Sequence, residues 1–315
     1  MAAAKPSHGK DSQSTDSGLE YGRRVVGKGQ FRIRDRHVAD HLIPLMRMRR
    51  VGAVKLDLLL RGIALPSGAG ARPEPGVILR RYQYEDLYDL VNGREDLGAA
   101  EPGTDAAAVE VVRLKRKWVR EQLLRLETLN LVKRTPRPGR RPDIVVLRDT
   151  GTGEPFDDPD GSPGNVYITI LGAVIASRHL ARWGAPEISA YLAAMVAERY
   201  APRDRVGGKR SRRRPQPGSG QWFRSLRWFG DVQSYGPDDR VALDFSVPTL
   251  ERGLARLRKE NLITWTHVTR SPRTKQRLQG RRNFYTNMFA DLERPSSKLS
   301  PAQFEAELLA ADRPE

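Results

Sequence analysis

Residues 119–132 read VREQLLRLETLNLV, and residues 250–263 read LERGLARLRKENLI. Shifted by 131 positions, Leu123, Arg125, Leu126, Asn130 and Leu131 fall on Leu254, Arg256, Leu257, Asn261 and Leu262. Val119 and Val132 likewise fall on Leu250 and Ile263. In each copy the apolar residues stand at i, i+4 and i+7 (Val119, Leu123, Leu126; Leu250, Leu254, Leu257), the spacing of one buried helical face. Arg, Lys, Gln and Thr occupy the opposite side. Asn-Leu then ends each helix, and the chain enters a strand, an Arg-dense turn and a returning strand. A segment that recurs in this way is one supersecondary design used twice.

Working outward, the first helix spans roughly 106–128, and residues 131–148 read as two strands around PRPGRRP. The second helix spans 247–260, with Ser246 as N-cap and Pro248 in the first turn, where proline is tolerated. A second strand pair surrounds SPRTKQRLQGRR. Ahead of the first copy, Val38, Leu42, Leu45 and Met46 keep helical spacing, Val54, Leu58 and Leu59 start another helix, and a short one at 84–91 stops at Asn92-Gly93. Ahead of the second copy stand a strand-like VYITI at 166–170, helical patterns through Trp183 and over 186–200, and an aromatic helix, WFRSLRWF. In that last segment Trp222, Phe223, Leu226 and Phe229 have the spacing of a buried face, with Trp228 outside it. The fold class expected is α+β, helix-dominated, with a tail at 1–20, one domain at 21–148, a linker at 149–165, a second domain at 166–290 and a tail at 291–315. The linker holds several Gly and Pro residues, so adjustable units are expected. Residues 203–220, with GGKRSRRRPQPGSG, read as a mobile basic loop.

Composition narrows the function. The chain has 315 residues, 38% of them hydrophobic, enough for about two ordinary domains. Its 55 basic residues against 38 acidic ones give a net charge of +17, which draws it towards polyanions. The absence of cysteine excludes disulfide scaffolds, thiolate metal sites and cysteine nucleophiles, and permits a reducing compartment. The first residues resemble no signal peptide, and no run of about 18 apolar residues suggests a membrane span, so a cytoplasmic protein is expected.

Motifs for catalysis are weak. HVADH places His37 and His41 at i, i+4 but lacks the glutamate of the zinc-protease motif. His179-Leu-Ala-Arg182 matches the HxxR of tyrosine recombinases without a partnering motif. Asp157, Asp158 and Asp160 lack the closing glutamate of a calcium loop, and VVGKGQ is not a phosphate-binding loop. The expectation is a non-enzyme with no metal and no cofactor.

The repeated pattern suits a duplex. A helix fixed by one apolar face offers its polar face to a major groove about 12 Å wide, and a following cationic hairpin reaches flanking phosphates. The candidate DNA contacts are Arg113, Lys115, Arg116, Lys117 and Arg120 on the first helix, with Arg137, Arg140 and Arg141 on its hairpin. In the second copy they are Thr249, Arg252 and Arg256 on the helix, with Arg270, Arg273, Lys275, Arg277, Arg281 and Arg282 on the hairpin. Arg212, Arg213 and Arg214 of the basic loop are candidate phosphate contacts.

SVPTLERGLARLRKENLI followed by a hairpin resembles the recognition helix and wing of winged-helix transcription factors. Two such units, over roughly 40–148 and 166–290 with YITI before the second, resemble the tandem winged-helix replication initiators of plasmids. The resemblance implies that Thr249, Arg252 and Arg256 match DNA-facing positions. The first wing, short and Pro-rich, departs from a regular hairpin. The expected function is sequence-specific binding of double-stranded DNA by an initiator of a plasmid or other mobile element. On that reading a helicase or other replication machinery is a further partner, and the chain acts as monomer or homodimer. A winged-helix transcriptional regulator and a DNA-coating partition or structural factor are the alternatives.

Overall fold

The computed structural model describes residues 30–64, 83–93, 105–138, 140–162, 165–200, 205–206, 209–210, 217–222, 226–229, 232–234, 240–242, 244–270 and 277–292. The tail at 1–20 and nearly all of that at 291–315 lie outside the described residues. The chain is α+β, with more helix than strand among the described residues, and its sheets are small and antiparallel. Strand β1 (Gln30–Arg34) leads into a helical run, α1, made of Asp35–His37, a π-helical stretch Val38–Leu42, and Ile43–Arg47. Helices α2 (Val51–Ala64), α3 (Tyr84–Asn92) and α4 (Asp105–Thr128) follow, then the hairpin β2 (Val132–Arg137) and β3 (Arg140–Val146). The second half opens with β4 (Tyr167–Leu171), α5 (Gly172–Ala176), α6 (His179–Arg182) and α7 (Ala185–Arg199). Short strands β5 (Arg205–Val206) and β6 (Lys209–Arg210) pair with each other. Beyond them come β7 (Gln221–Trp222), the pair β8 (Val232–Ser234) and β9 (Arg240–Ala242), α8 (Val247–Lys259), β10 (Ile263–Arg270) and β11 (Arg277–Asn287). Strand β7 joins the second hairpin as a third strand, in the order β10-β11-β7.

The repeat is a repeat of backbone geometry. Helix α4 ends at Asn130 with φ 53°, and α8 ends at Asn261 with φ 57°, both left-handed. Asparagine tolerates this region better than most side chains. The next amide then bonds five residues back, Leu131 to the Leu126 carbonyl at 3.0 Å and Leu262 to the Leu257 carbonyl at 2.9 Å. This is a Schellman closure, and in each copy it joins two buried leucines. Each hairpin closes alike, with Leu147 N–H donating to the Leu131 carbonyl and Met288 N–H to the Leu262 carbonyl, both at 2.9 Å. The Pro-rich first hairpin is an antiparallel pair from Val132↔Val146 to Arg137↔Arg140, with one irregularity between Thr135 and Arg137.

The two halves share a sheet and a core. Strand β1, which the sequence alone did not suggest, pairs antiparallel with β4, from Gln30↔Leu171 to Arg34↔Tyr167. Phe31, Ile33, Ile168, Ile170 and Leu171 are buried between the helices. Helix α2 is buried on nearly every side from Ala53 to Ala64, and α7 from Glu187 to Ala197. Bonds cross between halves: the Lys55 ammonium donates to the Ala181 carbonyl at 2.6 Å, and the Ser189 hydroxyl meets the Met46 sulfur at 3.5 Å.

Three segments read from the sequence gain structural detail. The segment at 149–165 is not a free tether among its described residues. Asp149, 3% exposed, holds the Arg34 amide at 2.7 Å and ion-pairs with its guanidinium, which also donates to Asn165 at 2.9 Å and Asp157 at 2.7 Å. The aromatic helix is instead β7 plus a 3-10 turn, Leu226–Phe229. Tertiary contacts override local spacing there: the Trp222 ring stacks on Tyr285 at 4.0 Å, and its indole N–H donates to Asn287. Trp222 and Phe229 are buried as the spacing suggested, while Phe223 and the Trp228 side chain lie outside the described residues. The end of the basic loop is anchored, since Gly218 N–H donates to Glu198 at 2.9 Å and the Gly218 and Gly220 carbonyls accept from Ala290 and Asn287.

Helices α7 and α8 touch backbone to side-chain position at Gly253. A Cβ built there would lie 1.9 Å from the Pro186 carbonyl oxygen and 2.8 Å from Ala190 Cβ. Gly253→Ala therefore forces the helices apart, with an expected loss of about 1–3 kcal/mol or more in chemical denaturation. An exposed control in the same helix, Ala255→Gly, should cost only roughly 0.5–1 kcal/mol.

A second expectation concerns acid. Asp57 is fully buried, and burial alone would raise its pKa, but Arg61 and His37 hold the carboxyl well below its ordinary range. Asp149 is also held low, against the same burial penalty, by His37, Arg61 and Arg34. For a depressed carboxylate the stabilisation is present above the unfolded value of about 3.9 and is lost as pH falls below it. Unfolding midpoints should be flat from pH 7 to about 5 and fall steeply below about 4. Asp57→Asn should flatten that acid limb, and an unchanged limb would remove Asp57 from the account.

Candidate nucleic-acid interface

Helix α8 is set by its inner face. Leu250, Gly253, Leu254 and Leu257 are buried, while Glu251, Arg252, Ala255, Arg256, Arg258 and Lys259 are exposed and Thr249 is half-buried. Ser246 occupies the N-cap without a side-chain cap bond, so the helix start rests on its carbonyl, which accepts from Thr249 and Leu250 at 3.0 Å each.

The outer cations differ in restraint. Arg256 is 68% exposed, yet its Nη1 meets Glu187 Oε1 at 2.6 Å, and Glu187 is 2% exposed. The other Glu187 oxygen accepts from Gly184 N–H at 2.8 Å, so the carboxylate that aims Arg256 is itself fixed at the start of α7. Arg252 Nε reaches back to the Pro248 carbonyl at 3.3 Å. Arg258 lies over the Trp265 ring at 4.4 Å, joining the helix to its hairpin. At the helix end, burial would push the Glu260 carboxyl up, but hydrogen bonds from His179 and Trp183 bring it below its ordinary value. Thr264, Thr266 and His267 are exposed on β10.

The remaining residues expected at this copy are only partly placed. Arg270, Arg277, Arg281 and Arg282 stand in β10 and β11, opposite one another at Arg270↔Arg277, with side chains outside the described residues. Arg273, Lys275, Arg212, Arg213 and Arg214 lie outside the described residues altogether.

The first copy is built on the same frame with a different surface. Lys115 pairs with Asp89 at 2.5 Å and lies over the Tyr88 ring, and Arg116 pairs with Glu85 at 2.5 Å. These two cations therefore face α3 instead of the open side of α4. Arg113 pairs with Glu110 one turn away. Lys117 and Arg120 are exposed and make no ion pair among the described residues. On the hairpin, Arg137 pairs with Asp143 across the strands at 2.5 Å, and the side chains of Arg140 and Arg141 lie outside the described residues. Over the aligned turns, residues 250–259 carry four cations and one carboxylate, whereas 119–128 carry two of each. Leu124, 57% exposed, stands where Ala255 stands in the second copy.

Sequence reasoning passed over Arg258, Lys259 and the run MRMRR at 46–50, which ends α1 and forms the turn to α2. The run was visible as charge, but nothing in one sequence places that turn beside α8. His37 and His41 have rings 5.5 Å apart, and both His37 nitrogens are taken, Nδ1 by the Asp149 carbonyl and Nε2 by Asp57. His37 is thereby fixed against α2, while both ring nitrogens of His41 are buried without a hydrogen-bond partner among the described residues. No helix among the described residues is long and apolar enough to cross a membrane.

No family model, no curated protein and no solved structure matches this chain.

Paired and free cations of α4 should separate in a stability assay. Lys115→Ala and Arg116→Ala each remove a half-buried pair with α3 and should cost up to about 1 kcal/mol. Lys117→Ala and Arg120→Ala should stay within about 0.5 kcal/mol of the parent. Urea denaturation of the four variants checks this.

Proposed function

We propose that the chain binds double-stranded DNA sequence-specifically through two winged-helix units and serves as a replication initiator of a plasmid or other mobile element. One observation carries the reading: the same helix, left-handed asparagine and antiparallel hairpin occur twice, and the outer face of α8 is cationic. A helix of 13 residues anchored by three leucines and a glycine is rigid enough to present Arg252 and Arg256 to base edges. The hairpin beside it carries arginines suited to phosphates. The net charge of +17 supplies the sequence-independent attraction. Function here is binding, with no covalent step.

The difference between the copies gives them unequal parts. Helix α8 is the principal reader of bases, because its outward cations are numerous and Arg256 is pre-aimed by Glu187. Helix α4 contributes fewer charges, Lys117 and Arg120, after its inner cations are committed to α3. Fixed groups of this kind lose little freedom on binding, which favours discrimination.

Selection from random duplexes by gel shift tests the reading, followed by salt titration on the selected site. Contact with roughly 6–10 phosphates should weaken binding about 10³- to 10⁵-fold between 50 and 200 mM salt. Arg252→Ala and Arg256→Ala should each cost roughly 1–3 kcal/mol on the selected site and relax the preference at particular base pairs. A flat salt dependence, or no enriched sequence, would overturn duplex reading. Replication of an origin-bearing plasmid in cells then separates an initiator from a regulator of the same fold.

A further inference from the structure

Two turns stand at opposite ends of α8, and they are copies of each other. The first follows α1, where Met48 N–H donates to the Pro44 carbonyl at 3.0 Å and Arg49 N–H to the Met46 carbonyl at 3.0 Å. The second follows α5, where Ser177 N–H donates to the Ala173 carbonyl at 2.8 Å and Arg178 N–H to the Ile175 carbonyl at 3.0 Å. Arg49 and Arg178 both have φ 59°, in the left-handed region. Glycine or asparagine adopts that conformation at lower cost, yet both turns hold arginine there.

Ion pairs and hydrogen bonds place the turns. Arg47 grips Asp244 through its carboxylate and its carbonyl, both at 2.5 Å, and Asp244 lies two residues before the Ser246 N-cap of α8. The turn of the first half is thereby tied to the start of α8. At the other end, Glu260 follows the last residue of α8 and takes the Trp183 indole at 3.0 Å and His179 Nδ1 at 3.3 Å. His179 directly follows Arg178, so the second turn is tied to the end of the helix. Arg49, Arg50 and Arg178 are all exposed, and none makes a side-chain hydrogen bond or ion pair among the described residues.

We propose that Arg49 and Arg50 at one end of α8 and Arg178 at the other are phosphate contacts that bracket the helix on a DNA duplex. The proposal rests on the duplex-binding reading above and adds to it residues from both halves. The chemistry fits. With 13 residues, α8 is roughly 20 Å long, more than the width of a major groove of about 12 Å. With the helix axis set across the groove, cations beyond its two ends meet the sugar-phosphate strands on either side. Each turn is pinned by a charged neighbour (Arg47 or Glu260) that leaves the bracketing arginines free. Contacts of this kind fix register and carry no base information.

The test compares Arg49→Asn/Arg50→Gln and Arg178→Asn with the parent chain, since asparagine keeps the left-handed turn without the charge. Thermal melting confirms that each variant is folded, and Lys at the same positions restores charge as a second measurement. On a selected duplex and an unrelated one of equal length, affinity should fall by the same factor. The slope of log affinity against log salt should flatten by about 0.9 for each phosphate that is no longer neutralised, and the Lys variants should restore it. An unchanged slope, or weakening confined to the selected sequence, overturns the bracketing assignment while duplex binding by the parent stands. A parent chain without salt-dependent duplex binding overturns the reading beneath it and the bracketing with it.

Discussion

Arg34 is an arginine with 1% exposure at the end of a five-residue strand, and the two halves meet around it. Its amide and guanidinium are held by Asp149, the guanidinium also donates to Asn165 and Asp157, and the amide after it bonds to the Val166 carbonyl at 3.1 Å. Asp149 also accepts from His37 through its carbonyl, and His37 leads on to Asp57 and Arg61 inside α2. Arg61 then donates to the Leu147 carbonyl at the end of the first hairpin. Burying so many charges is expensive, and pairs of this sort are often no more stabilising than packed apolar side chains. What the network supplies is geometry. Deleting one member leaves an uncompensated buried charge, at a cost of about 3–5 kcal/mol. Strand β1, the base of α2 and the crossing segment are thus fixed together.

The two copies show which parts of a design are set by backbone closure and which are free. Asn130 and Asn261, with the leucines beside them, recur because a helix turning into a strand needs a left-handed residue and a hydrophobic seal. Close approach between helices is met differently. In the second copy Gly253 of α8 lies under Pro186, whereas in the first copy the glycine is on the facing helix, Gly52 of α2. A Cβ there would come within 2.6 Å of the Trp118 ring on α4. The small residue moves across the interface, and the close approach it permits remains.

Helices and hairpins were legible in the sequence because their signals are local: apolar spacing, Asn-Leu ends and Arg-dense turns. The repeat was legible for the same reason. Strand β1 was not, since five residues form a strand only when β4, far along the chain, lies alongside. The aromatic stretch misled because Trp222 and Phe229 keep helical spacing while Trp222 stacks on Tyr285 of β11 and Phe229 packs edge-on against Trp222 and Phe245. Lys115 and Arg116 looked like surface charge because Glu85 and Asp89, their partners, belong to another helix. Charge in a sequence says how much attraction is present, and only the fold says which cations are already engaged.

The shared sheet changes how a duplex would be met. Units on a flexible tether adapt to the spacing of the grooves, at the entropic cost of ordering the tether. Here the segment at 149–165 is held by Arg34 and Arg148, and β1 pairs with β4, so the halves are joined by a shared sheet and ion pairs as well as by the connecting chain. A protein with a fixed binding surface leaves the adjustment to its ligand. DNA accommodates a rigid surface by bending or by changing groove width, and the energy of doing so depends on sequence. On the duplex-binding reading, part of the specificity then arises at base pairs that no side chain touches. On that reading the buried ion pair of Arg34 and Asp149 contributes to that term by fixing the end of β1 to the segment at 149–165.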